Sequence, residues 1–126
     1  MPNVFYLKYR DTRPVLQVEL LNPDGTPHDL SGSTNWKLHV KRPDGTVVTR
    51  TMTKVGLDTD GVLSYSWLIT DWDDATGLVV GPTLPFRPSS VEHTMEYEVI
   101  GPSPARMTFP NDGYDILRIF TDIGQS

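Results

Sequence analysis

The chain has 126 residues, 11 Lys and Arg against 16 Asp and Glu, a net charge of −5 and no cysteine. That length is one domain's worth, enough for a single core without disulfides or metal. The acidic balance and scattered cations argue against nucleic acid or an anionic membrane as partner, and the missing thiols exclude disulfides, thiolate zinc sites and cysteine nucleophiles.

No apolar run approaches the roughly 18 residues of a membrane-spanning helix. The stretch Met1-Pro2-Asn3-Val4-Phe5-Tyr6-Leu7-Lys8 lacks a basic region followed by an apolar one. A secretory leader is therefore not expected, and synthesis in a cytoplasm is.

From residue 15 onward the dominant signal is period-two alternation in short runs, broken by turn residues. Val15 to Leu21 sets Leu16, Val18 and Leu20 against Gln17 and Glu19. Pro23-Asp24-Gly25-Thr26 then reads as a turn, with proline pre-setting φ and glycine accepting a positive φ. Thr34 to Lys41 sets Trp36, Leu38 and Val40 against Asn35, Lys37, His39 and Lys41. A second Pro-Asp-Gly-Thr turn occupies 43–46, with flanks unlike the first, so it reads as reused turn chemistry rather than a repeat. Thr46 to Thr53 is a β-branched run, and Asp58-Thr59-Asp60-Gly61 a further turn. Gly61 to Ile69 alternates Leu63, Tyr65, Trp67 and Ile69 with Ser64 and Ser66. Thr70 to Thr76 supports at most one helical turn, capped by Thr70 and stopped by Gly77. His93 to Ile100 places Met95, Tyr97 and Val99 on one face, and Tyr114 to Thr121 closes the chain as a β-rich strand. Alternation of this kind is the habit of antiparallel sheets with one face on a core. The expectation is an all-β sandwich of about seven to eight strands forming one domain over 1–126, with a long inserted loop or arm at about 77–92.

That insertion breaks the rhythm. Gly77 to Ser90 holds Leu78, Val79, Val80, Leu84 and Phe86, interleaved with Pro82, Pro85 and Pro88. Proline bars it from a central strand, and its apolar residues set it apart from a disordered linker. It reads as an exposed apolar arm, and exposed apolar surface usually marks an interface. Leu78, Val79, Val80, Leu84, Phe86 and Arg87, with Phe5 and Tyr6 from the Val4 to Tyr9 segment, are the expected partner-binding residues.

Signatures of catalysis are missing from the sequence. There is no Gly-x-Ser-x-Gly and no phosphate-binding glycine loop. His28, His39 and His93 lie far apart, and each is expected at the surface or rim. Asp71, Asp73 and Asp74 are close, with Asp58 and Asp60 one short strand away, but Trp72 interrupts and no Glu follows in the order a calcium loop needs. They read as solvated turn carboxylates. Neither a metal nor a cofactor is expected, and the chain is read as non-enzymatic. Trp36, Trp67 and Tyr97 sit on inward faces. Trp72 reads first as a cover on the end of the sandwich, with stacking on a sugar as the alternative.

Four ordered stretches carry a likeness that each alone would not. They are Phe5-Tyr6-Leu7-Lys8 followed by Asp11-Thr12 and Pro14; Leu20 through Pro23-Asp24-Gly25-Thr26-Pro27 to Asp29-Leu30-Ser31-Gly32-Ser33-Thr34; Pro43-Asp44-Gly45-Thr46-Val47-Val48; and Phe109-Pro110-Asn111-Asp112-Gly113-Tyr114 with Ile116 and Arg118-Ile119. Gly61-Val62, Tyr65, Trp67 and Met95 to Val99 add to the set. Together they resemble a family of small bacteriophage virion proteins related to the N-terminal domain of phage baseplate upper protein. The main departure is Leu78 to Glu92, an insertion of about fifteen residues relative to the family.

The resemblance implies an immunoglobulin-like antiparallel sandwich that docks on a virion, as head decoration or cement or at the tail or baseplate. Its partners would be capsid, tail or baseplate subunits, with a homo-oligomer as a further option. The alternative is a carbohydrate-binding sandwich used in host adhesion, motivated by Trp72, Phe86 and the nearby carboxylates. Within the last motif, Asn111-Asp112-Gly113 reads as a short-loop signature. Pro110 should end or bulge the ladder before the turn, and Phe109 and Tyr114 are expected to pack across the strand pair it joins.

Overall fold

The computed structural model describes residues 3–8, 13, 15–72, 77–79, 90–101, 106–110 and 114–120. Among the described residues there are nine strands: β1 (Val4–Lys8), β2 (Leu16–Glu19), β3 (Asn35–Lys41), β4 (Val47–Thr51), β5 (Thr53–Val55), β6 (Val62–Tyr65), β7 (Ser90–Ile100), β8 (Arg106–Phe109) and β9 (Asp115–Phe120). The larger sheet runs β1-β9-β7-β3-β4, with β8 also on β7; the smaller runs β2-β6-β5. This is an immunoglobulin-like sandwich. Two three-residue 3-10 turns, Asp58–Asp60 and Ile69–Asp71, are the helical content among the described residues.

The alternation read from the sequence places the core. Leu38 and Val40 of β3, Met95, Tyr97 and Val99 of β7, and Leu63 and Tyr65 of β6 are buried, as are Leu16, Leu20 and Trp67. Trp36 is half-buried against them, its indole N–H donating to Ser33 Oγ at 2.9 Å. Both Pro-Asp-Gly-Thr segments make the same turn. Gly25 and Gly45 sit at φ +89 and +93, and the N–H of Thr26 and of Thr46 donates to the Asp two positions back.

Four features differ from the pattern. The β-branched run at 46–53 is two strands, because the chain changes sheets at Met52. That side chain is buried, and its N–H donates to the Trp36 carbonyl at 2.8 Å. On one side β4 pairs with β3; on the other β5 pairs with β6.

The expected strand at 61–69 ends at Tyr65, and the chain turns through Ile69–Asp71 after Trp67. The Val4 to Tyr9 segment, expected to be presented to partners, is in part a strand of the large sheet. Here β1 pairs in parallel with β9, Val4 opposite Ile116 and Lys8 opposite Phe120, and Leu7 is buried.

The fourth difference corrects the hairpin reading of Phe109-Pro110-Asn111-Asp112-Gly113-Tyr114. Its flanking strands do not pair with each other; both lie antiparallel on β7. Phe109 stands opposite Tyr97 and Asp115 opposite Met95, so five residues intervene on one side where β7 has only Glu96. Thus β8 ends at Phe109, as Pro110 requires, and β9 resumes the same lane. Phe109 is buried while Tyr114 is exposed, so the two do not pack across a pair. Asn111, Asp112 and Gly113 lie outside the described residues.

Candidate docking surface

The charged and polar side chains divide into two populations. One is buried and holds the scaffold together. Asp71 is 1% exposed, which corrects its reading as a solvated turn carboxylate. Its Oδ2 accepts from the Tyr65 hydroxyl at 2.6 Å and the Leu68 N–H at 2.9 Å, and its Oδ1 from Arg50 Nε at 3.2 Å. It therefore joins β4 of one sheet to β6 of the other. Burial, reinforced by the Asp71 carboxylate, pushes the Tyr65 hydroxyl pKa up.

A second buried carboxylate, Asp115, accepts from the Tyr97 hydroxyl at 2.9 Å and the Asn3 N–H at 3.2 Å, tying β7, β9 and the start of β1. His93 is buried as well, not at the rim where it was expected. Burial, with the positive charge of Arg42 nearby, holds its imidazole down to about 4. These groups are inside because strands β7 and β9 alternate: positions 93 and 115 share the inward face with Met95, Tyr97 and Leu117.

The other population lies on the outer face of the large sheet. Outward positions of β7 carry Glu92, Thr94, Glu96 and Glu98, flanked by Lys37, His39 and Lys41 on β3 and by Arg118 on β9. Tyr6, Arg118 and Glu92 form one cross-strand row. The Arg118 guanidinium pairs with Glu92 and sits 5.8 Å from the Tyr6 ring centre, a cation–π contact. Elsewhere His39 bridges strands, Nδ1 2.8 Å from Thr49 Oγ1 and Nε2 2.9 Å from Glu98 Oε1. Beside it a concavity of about 450 Å³ is lined by His39, Lys41, Arg42, Glu92, Glu96 and Tyr114, among others. Tyr6 and Tyr114 are each about half exposed, at 53% and 49%. Such a face offers aromatic edges and both signs of charge over a broad shallow area. Among the described residues no three His, Asp or Glu side chains gather as a metal site.

The expected partner-binding residues separate accordingly. Tyr6 is on the outer face. Phe5 is half-buried, its ring 6.2 Å from that of Trp67. Leu78 and Val79 are corrected: both are fully buried. The Val79 N–H donates to the Asp71 carbonyl at 2.9 Å and Val79 bridges Trp72, while the Gly77 carbonyl accepts from Arg42 at 3.2 Å. This pins the start of the apolar segment into the end of the core. Val80, Leu84, Phe86 and Arg87 lie outside the described residues, as do Asp73 and Asp74. Trp72 is buried at 4% exposure, covering the end of the sandwich, so its ring is not presented to a sugar. Sequence reasoning missed Arg118, Glu92 and Tyr114 as parts of one surface. The outward parity of Glu92, Glu96 and Glu98 was readable, but the neighbours that pairing brings to them were not.

The described strands form an all-β sandwich whose larger sheet carries a mixed-charge outer face. No family model matches the chain, and no curated protein matches it.

Proposed function

We propose that this protein is a non-enzymatic structural component of a bacteriophage virion, made in the bacterial cytoplasm and docked as an accessory subunit on the head or the tail and baseplate. The observation that supports this reading is the division of polar groups. Asp71, Asp115 and His93 are committed to the scaffold, and the groups left for a partner spread over an open sheet face around Tyr6, Arg118, Glu92 and Tyr114. A broad mixed-charge face suits a protein lattice better than a small substrate, which calls for a concave and mostly apolar site. Repetition of the contact on a lattice makes a weak docking firm. The ordered motifs that resemble virion proteins point the same way.

Mass spectrometry of gradient-purified particles of the phage encoding the chain, with antibody labelling in electron micrographs, tests the proposal. The expected result is a fixed number of copies per particle at one location. Particles lacking the chain, while the lysate contains it, overturn the proposal.

A further inference from the structure

Among the described residues two carboxylates are buried, Asp71 and Asp115. They are built alike, with one difference. Asp71 accepts from a tyrosine hydroxyl, a backbone N–H and a guanidinium, those of Tyr65, Leu68 and Arg50. Asp115 accepts from a tyrosine hydroxyl and a backbone N–H, those of Tyr97 and Asn3. No cation among the described residues pairs with it; the ion pairs there engage Asp58, Asp71, Glu92 and Glu98.

The difference matters because withdrawing a carboxylate from water is costly unless a cation and hydrogen bonds offset it. Asp115 is 6% exposed. Burial and the Asp115 charge push the Tyr97 hydroxyl pKa up, so Tyr97 keeps its proton and donates. Each Asp115 oxygen thus accepts one neutral hydrogen bond. A carboxylate has about four acceptor positions, so the scaffold leaves room for a further donor.

Where Asp71 meets Arg50, Asp115 meets a hollow. It lines one of about 250 Å³ along β1 and β2, and an adjoining one of about 180 Å³ beside Phe109 and Pro110. Phe5, Val18 and Met95 give the larger hollow apolar walls. Glu19, an exposed residue, lines both hollows and sets a second carboxylate at the rim. Neither hollow shares a lining residue with the concavity on the outer face of the large sheet. We propose that this cleft is a binding site for a primary ammonium on an aliphatic stem, the side chain of a lysine offered by a partner protein.

The ammonium takes the place at Asp115 that Arg50 takes at Asp71. It is a compact charge that only donates, which suits a recess whose charged groups are both carboxylates. Its stem lies along Phe5, Val18 and Met95, covering apolar surface as lysine stems do. Glu19 adds attraction at the mouth, weaker than that of Asp115 because water screens it. The inference rests on Asp115 and the cleft, and stands whether or not the protein resides on a virion.

The test is an amide NMR titration of the full chain at constant ionic strength. The probes are N-acetyl-lysine amide and N-acetyl-norleucine amide, which has the same stem without the nitrogen. The lysine probe is expected to give saturable shifts at Asn3, Glu19 and Asp115, with a dissociation constant on the order of 10 mM. The norleucine probe should bind about ten-fold more weakly or worse. Asp115→Asn should weaken the lysine probe by about ten-fold or more, and Glu19→Gln by about two-fold. Glu19 is exposed, so its variant should melt like wild type and keeps the test independent of any folding defect in Asp115→Asn. Equal binding of the two probes overturns the proposal. So do shifts confined to the Glu92 and Glu96 face, a lysine affinity indifferent to Glu19→Gln, or a folded Asp115→Asn chain that binds lysine as wild type does.

Discussion

Asp71 shows how a surface-type residue becomes structural. Sequence places it in a cluster of turn carboxylates; packing places it under Tyr65, Leu68 and Arg50. Hydrogen bonds to a charged group contribute about 1.5–3 kcal/mol each, and a buried partner left unpaired costs more. Asp71→Asn keeps the shape but loses the charge, and should lower unfolding free energy by about 2 kcal/mol in urea titrations. An unchanged midpoint would show that the bridge between the sheets carries no net stability.

His93 gives a pH test. Unfolded, its imidazole takes a proton near 6.5; folded, burial holds it near 4. Between those values only the unfolded chain binds the proton. The contribution of neutral His93 is therefore complete above pH 6.5 and shrinks as pH falls toward 4, by about 3 kcal/mol in all. The lowered carboxyls of Asp24, Asp29 and Asp44, held down by hydrogen bonds from Thr26, Ser31 and Thr46, act in the same direction but titrate toward the usual Asp value of 3.8 and below, so the change from pH 7 to pH 5 reports chiefly the histidine. Urea midpoints at pH 7 and pH 5 should differ for wild type and much less for His93→Leu.

Among the elements, the β2–β6 ladder depends on one backbone position. Gly61 ends the 3-10 turn at φ +66, where a Cβ would lie 2.7 Å from the His28 carbonyl oxygen and 3.0 Å from that of Leu20. Those neighbours are backbone atoms held by the Leu20–Gly61 and His28–Leu20 hydrogen bonds, so they cannot swing aside. Left-handed strain alone costs about 1–2 kcal/mol, and the contact adds to it. Gly61→Ala should lose roughly 3 kcal/mol or more, read as a lowered melting temperature. Gly25 and Gly45 have equally positive φ but open space around a Cβ, and alanine there should cost less than at Gly61.

Over the whole molecule, the first and last strands close the sheet. Parallel pairing of β1 with β9 joins Val4 to Ile116 across nearly the full chain, and with no disulfide available the closure rests on packing and hydrogen bonds. Removing residues 1–8 takes away buried Leu7, the Phe5–Trp67 contact and the Asn3–Asp115 hydrogen bond. The truncated chain should lose about 3 kcal/mol or more, measured by thermal melting. A truncation that melts like wild type would mean β1 is an appendage rather than a part of the core.

The sequence by itself determined the class of fold, the inward rows of β2, β3, β6 and β7, and both Pro-Asp-Gly-Thr turns. These are local properties, because alternation and turn chemistry act within a few residues. It did not determine that the run at 46–53 divides between sheets at Met52, that the segment around Phe109 and Asp115 is one lane on β7 rather than a hairpin, or that Leu78 and Val79 belong to the core. Nor did it distinguish the buried Asp71 and His93 from exposed residues of the same type. Those outcomes depend on which distant strand arrives alongside. Only the tertiary structure supplies that neighbour, and with it the Tyr6–Arg118–Glu92 row on which the proposed docking rests.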